Sequence, residues 1–229
     1  MTVKEFSDEF DILYNNISSN QAPGLDEYEK SVFLTQAQES LIIDLYRGAL
    51  GDSFESTEEI TSYLESLVLS SGSYTSETGS EILGCKRFTL TLEEDDILFI
   101  VFETSKIVLD STNTERDVLV KRVTHDTLAK DLRNPFRKPN MNKVLCTFEN
   151  SNIVLYTSKD VDSVTYKMKY IAIPNPIILT DLNSISSDLS IRGENTEMGC
   201  ELHPALHMPI LTRAVQMAKA SMGIIETQN

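Results

Sequence analysis

The hydrophobic period of this 229-residue chain changes twice, and that double change limits the architectures open to it. Up to about residue 70 apolar side chains recur at helical spacing. The stretch SSGSYTSETGS, residues 70–80, is rich in Ser, Thr and Gly and shows no period. β-branched and aromatic runs follow as far as YIAIPNPIIL, and from about His203 the helical spacing returns. A helix-strand-helix order predicts an α+β protein, a discontinuous N- and C-terminal helical bundle with an inserted antiparallel β-sandwich-like module. The expected boundaries are residues 1–70 with 200–229 for the helical domain, 81–180 for the β-rich domain and 181–199 for a connector.

Each expected helix has its own start signal. Thr2 and Glu5 have the spacing of a capping box, ahead of Phe6, Phe10, Leu13 and Ile17 on one face. Asp26 and Glu29 repeat that spacing before a stripe of Phe33, Ala37, Leu41 and Leu45, and Gly48 supplies a stop. Ser56 to Glu59 opens a third helix with Ile60, Tyr63, Leu64, Leu67 and Val68 on one side.

In the β region, CKRFTLTL and ILFIVFE flank the acidic turn EEDD and read as a hairpin. KVLCTFE and NIVLYTS, separated by Asn150 and Ser151, read as a second. RDVLVKRV and VTYKMKYIAI complete about six strands, expected to pair antiparallel because no long crossover helix stands between them. THDTLAKDLRNPFRKPNMN is too polar for a strand; it predicts a helical turn at residues 127–132 and a loop fixed by Pro135 and Pro139. Pro174 and Pro176 require the last strand to leave the sheet or run along its edge.

Charge is unevenly distributed. Of a net −15, residues 1–70 carry 14 acidic against 3 basic side chains, whereas residues 116–143 carry eight basic against three acidic. Such segregation suits self-complementary contact between copies. The basic segment is too small a footprint for tight nucleic-acid binding. No apolar run is long enough to span a bilayer and the acidic N-terminus is unlike a signal peptide, so a cytosolic origin and no membrane partner are expected. Three distant cysteines, Cys85, Cys146 and Cys200, imply reduced thiols rather than a disulfide framework.

One spacing suggests metal chemistry: Cys200, His203 and His207 form C-x2-H-x3-H. Three ligands at most are available there, and Pro204 and Pro209 are what the first turn of a helix accepts. Leu206, Ile210, Ala214, Met217, Ala218 and Ser221 then line a face expected to lie against the N-terminal helices. The helical reading is preferred, with neither cofactor nor metal expected, and a metal-dependent hydrolase using the three residues is the alternative. His125 and Asp126 are adjacent and do not face each other. The acidic runs EEDD and DSFESTEE are explained by a turn and a helix cap. No P-loop, nucleophile elbow or glycine-rich dinucleotide turn is present, so an enzyme is not expected.

Residues 26–48 (DEYEKSVFLTQAQESLIIDLYRG), 124–145 (THDTLAKDLRNPFRKPNMNKVL), 163–179 (SVTYKMKYIAIPNPIIL) and 203–220 (HPALHMPILTRAVQMAKA) resemble structural proteins of crAss-like bacteriophages. The order of helical segment, β module and C-terminal helix is similar to the adaptor or gatekeeper rings at phage head-to-tail junctions. The strand end departs from the family pattern, with Ala172 at a position that is basic there and Asn175 at another.

The resemblance implies a virion ring protein in the collar or tail, assembled in the host cytoplasm. It implies self-association, with twelve copies, contact with a portal or adjacent ring or tail proteins, and passage of DNA without sequence-specific binding. Subunit contacts are then expected at Arg133, Asn134, Pro135, Phe136, Arg137 and Pro139, and at Tyr166, Tyr170, Pro174 and Pro176. A head-completion or accessory virion protein that forms no ring is a further alternative.

Overall fold

The computed structural model describes residues 1–15, 24–48, 62–93, 96–109, 114–150, 152–186 and 188–222. It is mixed helix and sheet, divided into two compact units: Met1–Leu67 with Ile173–Asn229, and Val68–Ala172.

The first unit begins with helix α1, Val3–Asn15. Its capping box is formed, with the Thr2 amide donating to Glu5 Oε2 at 2.7 Å and the Glu5 amide to Thr2 Oγ1 at 3.3 Å. Phe6, Phe10 and Tyr14 make its buried face. Ile17 lies outside the described residues.

Helix α2, Glu27–Tyr46, carries the second box, Asp26 with Glu29, and ends where the Arg47 and Gly48 amides fold back on the Ile43 and Leu45 carbonyls. Gly48 supplies the positive φ of 66° this stop needs. Of the expected stripe, Ala37 and Leu45 are buried but Phe33 and Leu41 only half-buried, and Ser31, Leu34, Thr35, Gln38 and Ile42 complete the buried face of α2. The face is rotated because its polar members bond to an extended segment, residues 175–179. The Leu179 amide donates to Ser31 Oγ at 2.9 Å, the Ile177 amide to Thr35 Oγ1 at 3.1 Å, and Gln38 Nε2 to the Asn175 carbonyl at 2.8 Å. The prolines therefore do take the chain out of the sheet.

Most of the expected third helix, from Ser56 to Ile60, lies outside the described residues. Its end is present as helix at residues 62–64 and a 3-10 turn, Glu65–Leu67. The second segment of this unit has a turn at residues 191–194 with Arg192 and Gly193 at positive φ. Arg192 bonds the Pro174 carbonyl and pairs with Glu39.

Among the described residues the β unit holds nine strands in the order β1-β9-β5-β6-β7-β8-β4-β3, with β2 also on β9. They are β1 Val68–Ser70, β2 Tyr74–Ser76, β3 Gly79–Ile82, β4 Cys85–Thr91, β5 Ile97–Leu109, β6 Glu115–Arg122, β7 Lys143–Glu149, β8 Asn152–Ser158 and β9 Val161–Ala172. β7 and β8 form the expected hairpin, with Asn150 in the left-handed region. Three expectations are corrected. β4 and β5 are not a hairpin: β4 pairs with β3 and β8, β5 with β6 and β9. The connector at residues 70–80 contains β2 and the start of β3, short polar strands too brief to show a period. Pairing is not antiparallel throughout, because β6 runs parallel to β7.

β6 explains the shape of the unit. Its first half pairs with β5 and its second half, Leu119 to Arg122, with β7, so one strand carries the chain from one leaf of sheet to the next. The parallel step is closed by helix α3, His125–Arg133, and the loop after it, longer than the single turn expected. Phe88, Ile107, Val144, Ile153, Leu155, Val164, Tyr166, Met168 and Tyr170 fill the core between the leaves. Leu132 and Leu128 of α3 cover Cys85, Leu145, Val154 and Tyr156 on the outer side. NIVLYTS is therefore apolar without alternation, since both of its faces are buried.

The last helix among the described residues is α4, His207–Ser221, which packs on α1 and α2, with Ile210, Leu211, Ala214, Val215 and Ala218 buried. Met217, expected on that face, is half-buried, and Arg213 instead ties α4 to Asp44 at 2.7 Å. No helix among the described residues is long and apolar enough to cross a membrane.

Candidate functional site

The loop after α3 is built to hold one side chain in solvent. Asn134 ends the helix in extended conformation, as a residue before proline must. Its Oδ1 accepts the Phe136 amide at 2.9 Å, and its carbonyl accepts the Arg137 and Lys138 amides at 3.0 and 2.9 Å. Lys143 Nζ donates to the Arg137 carbonyl at 3.0 Å. The buried Asp131 carboxylate pairs with Lys121 at 3.4 Å and Arg137 at 3.5 Å. Phe136, 93% exposed, stands at the centre of this pinned turn. Arg133, Pro135, Arg137 and Lys138 are exposed around it, while Pro139 is buried beneath. Leu119 on β6 is 68% exposed. A rigid loop that presents a large apolar ring among cations has the properties of a contact surface, because ordering it on binding would cost little entropy.

The other four expected contact residues lie inside the chain. Tyr166 and Tyr170 line the core of the β unit, and Pro174 and Pro176 are buried in the helical unit. None offers surface to a partner; their role is internal. Tyr166 Oη donates to Glu103 Oε1 at 2.6 Å, and Arg122 Nε donates to Glu103 Oε2 at 2.7 Å. Cys146 Sγ lies 3.9 Å from the same carboxylate, and the Arg122 guanidinium stands 5.1 Å from the centre of the Phe148 ring. Burial, reinforced by the Glu103 charge, pushes the Cys146 thiol up to about 12 and raises Tyr166 as well. Both stay protonated and act as donors.

Cys200, His203 and His207 are each engaged elsewhere. Cys200 Sγ meets Gln38 Oε1 at 3.3 Å. His203 Nδ1 accepts the Ala205 amide at 3.3 Å, capping the 3-10 turn Pro204–Leu206, and its ring lies 5.2 Å from that of Tyr63. His207 is buried, with Nε2 on the Leu202 carbonyl at 3.1 Å, Nδ1 on the Met1 nitrogen at 2.9 Å and its ring against Phe6. Burial lowers the pKa of His207. Among the described residues no three His, Cys, Asp or Glu side chains gather as a metal-binding group. The spacing that suggested ligands serves the start of α4. The acidic run at residues 52–59, and Glu94 and Asp95 of EEDD, lie outside the described residues.

Two arrangements escaped the sequence reading. Ser31, Thr35 and Gln38 recur at helical spacing within α2, a polar line that could have signalled a bonded backbone. Glu103, in the apolar run ILFIVFE, carried no sign of its partners, which come from β6, β7 and β9.

The sequence model of the family described as phage tail ring protein 3/4 matches residues 1–229. Ring protein 3 of Bacteroides phage crAss001 is 43% identical over 226 residues, covering 95% of each chain. Ring protein 4/5 of the same phage is 33% identical over 231 residues, covering 96% of this chain and 93% of that one.

Proposed function

Because the chain belongs to the phage tail ring protein 3/4 family, we propose that its copies close head to tail into a ring of twelve in the portal-proximal collar or tail. The family match along residues 1–229 carries this reading. The chain is a structural component of the phage particle, and its work is mechanical. The greater identity to Ring protein 3 than to Ring protein 4/5 favours a role like that of Ring protein 3.

In this reading the partners are neighbouring copies, adjacent rings or tail proteins, and the portal, and assembly takes place in the host cytoplasm. Closed rings need two unlike faces per subunit. The pinned loop with Arg133, Asn134, Pro135, Phe136 and Arg137 supplies one. A charge of −15 per copy favours a lumen along which DNA slides rather than adheres. The hydrolase alternative loses its support where Cys200, His203 and His207 turn to separate partners.

Cross-linking of intact phage particles, read by mass spectrometry, tests the placement. Links from this chain to itself and to portal, ring or tail proteins are expected. Links to capsid proteins alone would contradict a tail or collar ring and favour a head-completion or accessory protein.

A further inference from the structure

We infer that the loop carrying Phe136 docks on the outer face of helix α1 of a second copy. The inference rests on the ring reading and names the surface that its contact loop meets.

Two exposed surfaces match in shape of chemistry. On the loop, Phe136 is 93% exposed and Arg133, Arg137 and Lys138 stand exposed about it. On α1, Phe6, Phe10 and Tyr14 face inward, and Ile12 on the opposite side is 56% exposed. Glu5, Asp8 and Glu9 precede Ile12 by seven, four and three residues, so all four share one side of the helix. Glu5 and Asp8 are exposed and Glu9 is half-buried.

Apart from the exposed Lys4 beside Glu5, each surface is thus an apolar side chain flanked by charge of one sign, and the signs are opposite. Both lie on firm supports. The loop is held by Asn134, Asp131 and Lys143, and α1 by its capping box and by Lys30 of α2, whose Nζ reaches Asp11 at 2.7 Å. Asp11 is committed to that internal pair and Glu5 to the capping box, which leaves Asp8 and Glu9 as the outward acids.

An apolar contact surrounded by complementary charges excludes water from the centre and fixes orientation at the rim. Because loop and helix are different patches of one chain, the contact is heterologous and propagates from copy to copy, as a ring requires. The apolar pair and the charge rim make separable contributions, which gives the test two arms.

The experiment measures self-association of the full chain by sedimentation velocity and native mass spectrometry, with circular dichroism to verify folding. Arg133→Glu, Arg137→Glu and Lys138→Glu together, or Asp8→Lys with Glu9→Lys, should each weaken assembly at least tenfold, and combining both sets should restore it. Phe136→Ala and Ile12→Ala should weaken assembly by similar factors, with the double variant no worse than either alone. Folded reversal variants that assemble as the unaltered chain does, or combined reversals that fail to recover, would overturn the docking while leaving the ring itself standing. An unaltered chain that stays monomeric both in solution and in isolated tails would instead overturn the ring reading, and this inference with it.

Discussion

Glu103 stands where hydrogen-bond donors from three strands of the β unit converge, and its carboxylate holds them to one geometry. Tyr166 Oη, Arg122 Nε and Cys146 Sγ all point at it. Removing the Tyr166 hydroxyl leaves a mostly buried carboxylate oxygen short of its closest donor. Tyr166→Phe should therefore lower the stability of the β unit by about 1–3 kcal/mol in urea denaturation, and an unchanged midpoint would show the bond to be dispensable. His207 adds a pH dependence. An unfolded histidine takes its proton near pH 6.5, whereas burial depresses the folded value, so below that pH the unfolded chain binds the extra proton. The stability that neutral His207 contributes is complete above about pH 6.5 and is lost as the pH falls below it, by at most about 1.4 kcal/mol per pH unit. Between pH 7.5 and 5.5 the urea midpoint should fall more steeply in the native chain than in His207→Gln, and equal slopes would rule out this residue as the source.

At the scale of elements, the helical unit depends on an unusual pairing of helix with extended chain. Ser31, Thr35 and Gln38 take the place of a neighbouring strand for residues 175–179, satisfying buried backbone groups that prolines keep out of the sheet. Thr35→Val preserves shape but strands the Ile177 amide, so a loss of about 1–3 kcal/mol is expected by chemical denaturation. Both capping boxes and the Gly48 stop were legible in the sequence because they are local, resting on side chains three residues apart or on one backbone angle. The buried face of α2 was legible only in part: the hydrophobic stripe marks Ala37 and Leu45 correctly but also Phe33 and Leu41, while the tertiary partner selects hydroxyls and an amide. The same limit explains β4 and β5: turn chemistry at EEDD suggests a hairpin, but the strands belong to different leaves. Parallel pairing of β6 with β7 was hidden because its crossover helix, α3, has only nine residues and few apolar ones. Of the residues expected at contacts, those from Arg133 to Arg137 lie in an ordered, mostly exposed loop that was readable from its prolines and charges. Tyr166 and Tyr170 misled because alternation assigns a residue to a face without saying which face is the interior.

For the whole molecule, acidic and basic regions are kept apart along one chain, and the family to which it belongs makes rings in phage tails. A subunit of such a ring must stay soluble alone yet join its neighbours when they meet. A net charge of −15 serves the first need, and in the proposed reading a small basic loop bearing Phe136 serves the second. Contacts that rely on charged rims weaken in salt, because exposed charges more than about 8–10 Å apart are screened near physiological ionic strength. Raising sodium chloride from 0.05 to 0.5 M should therefore shift the assembly midpoint to higher protein concentration, on the order of tenfold; an unchanged midpoint would point to a purely apolar interface. The central claim is that copies of this chain close on themselves. Native mass spectrometry of the assembled protein, or of rings released from tails, tests it most directly. A single dominant species at twelve times the chain mass is the predicted result, and a monomer, or an open ladder of sizes with no closed species, would contradict it.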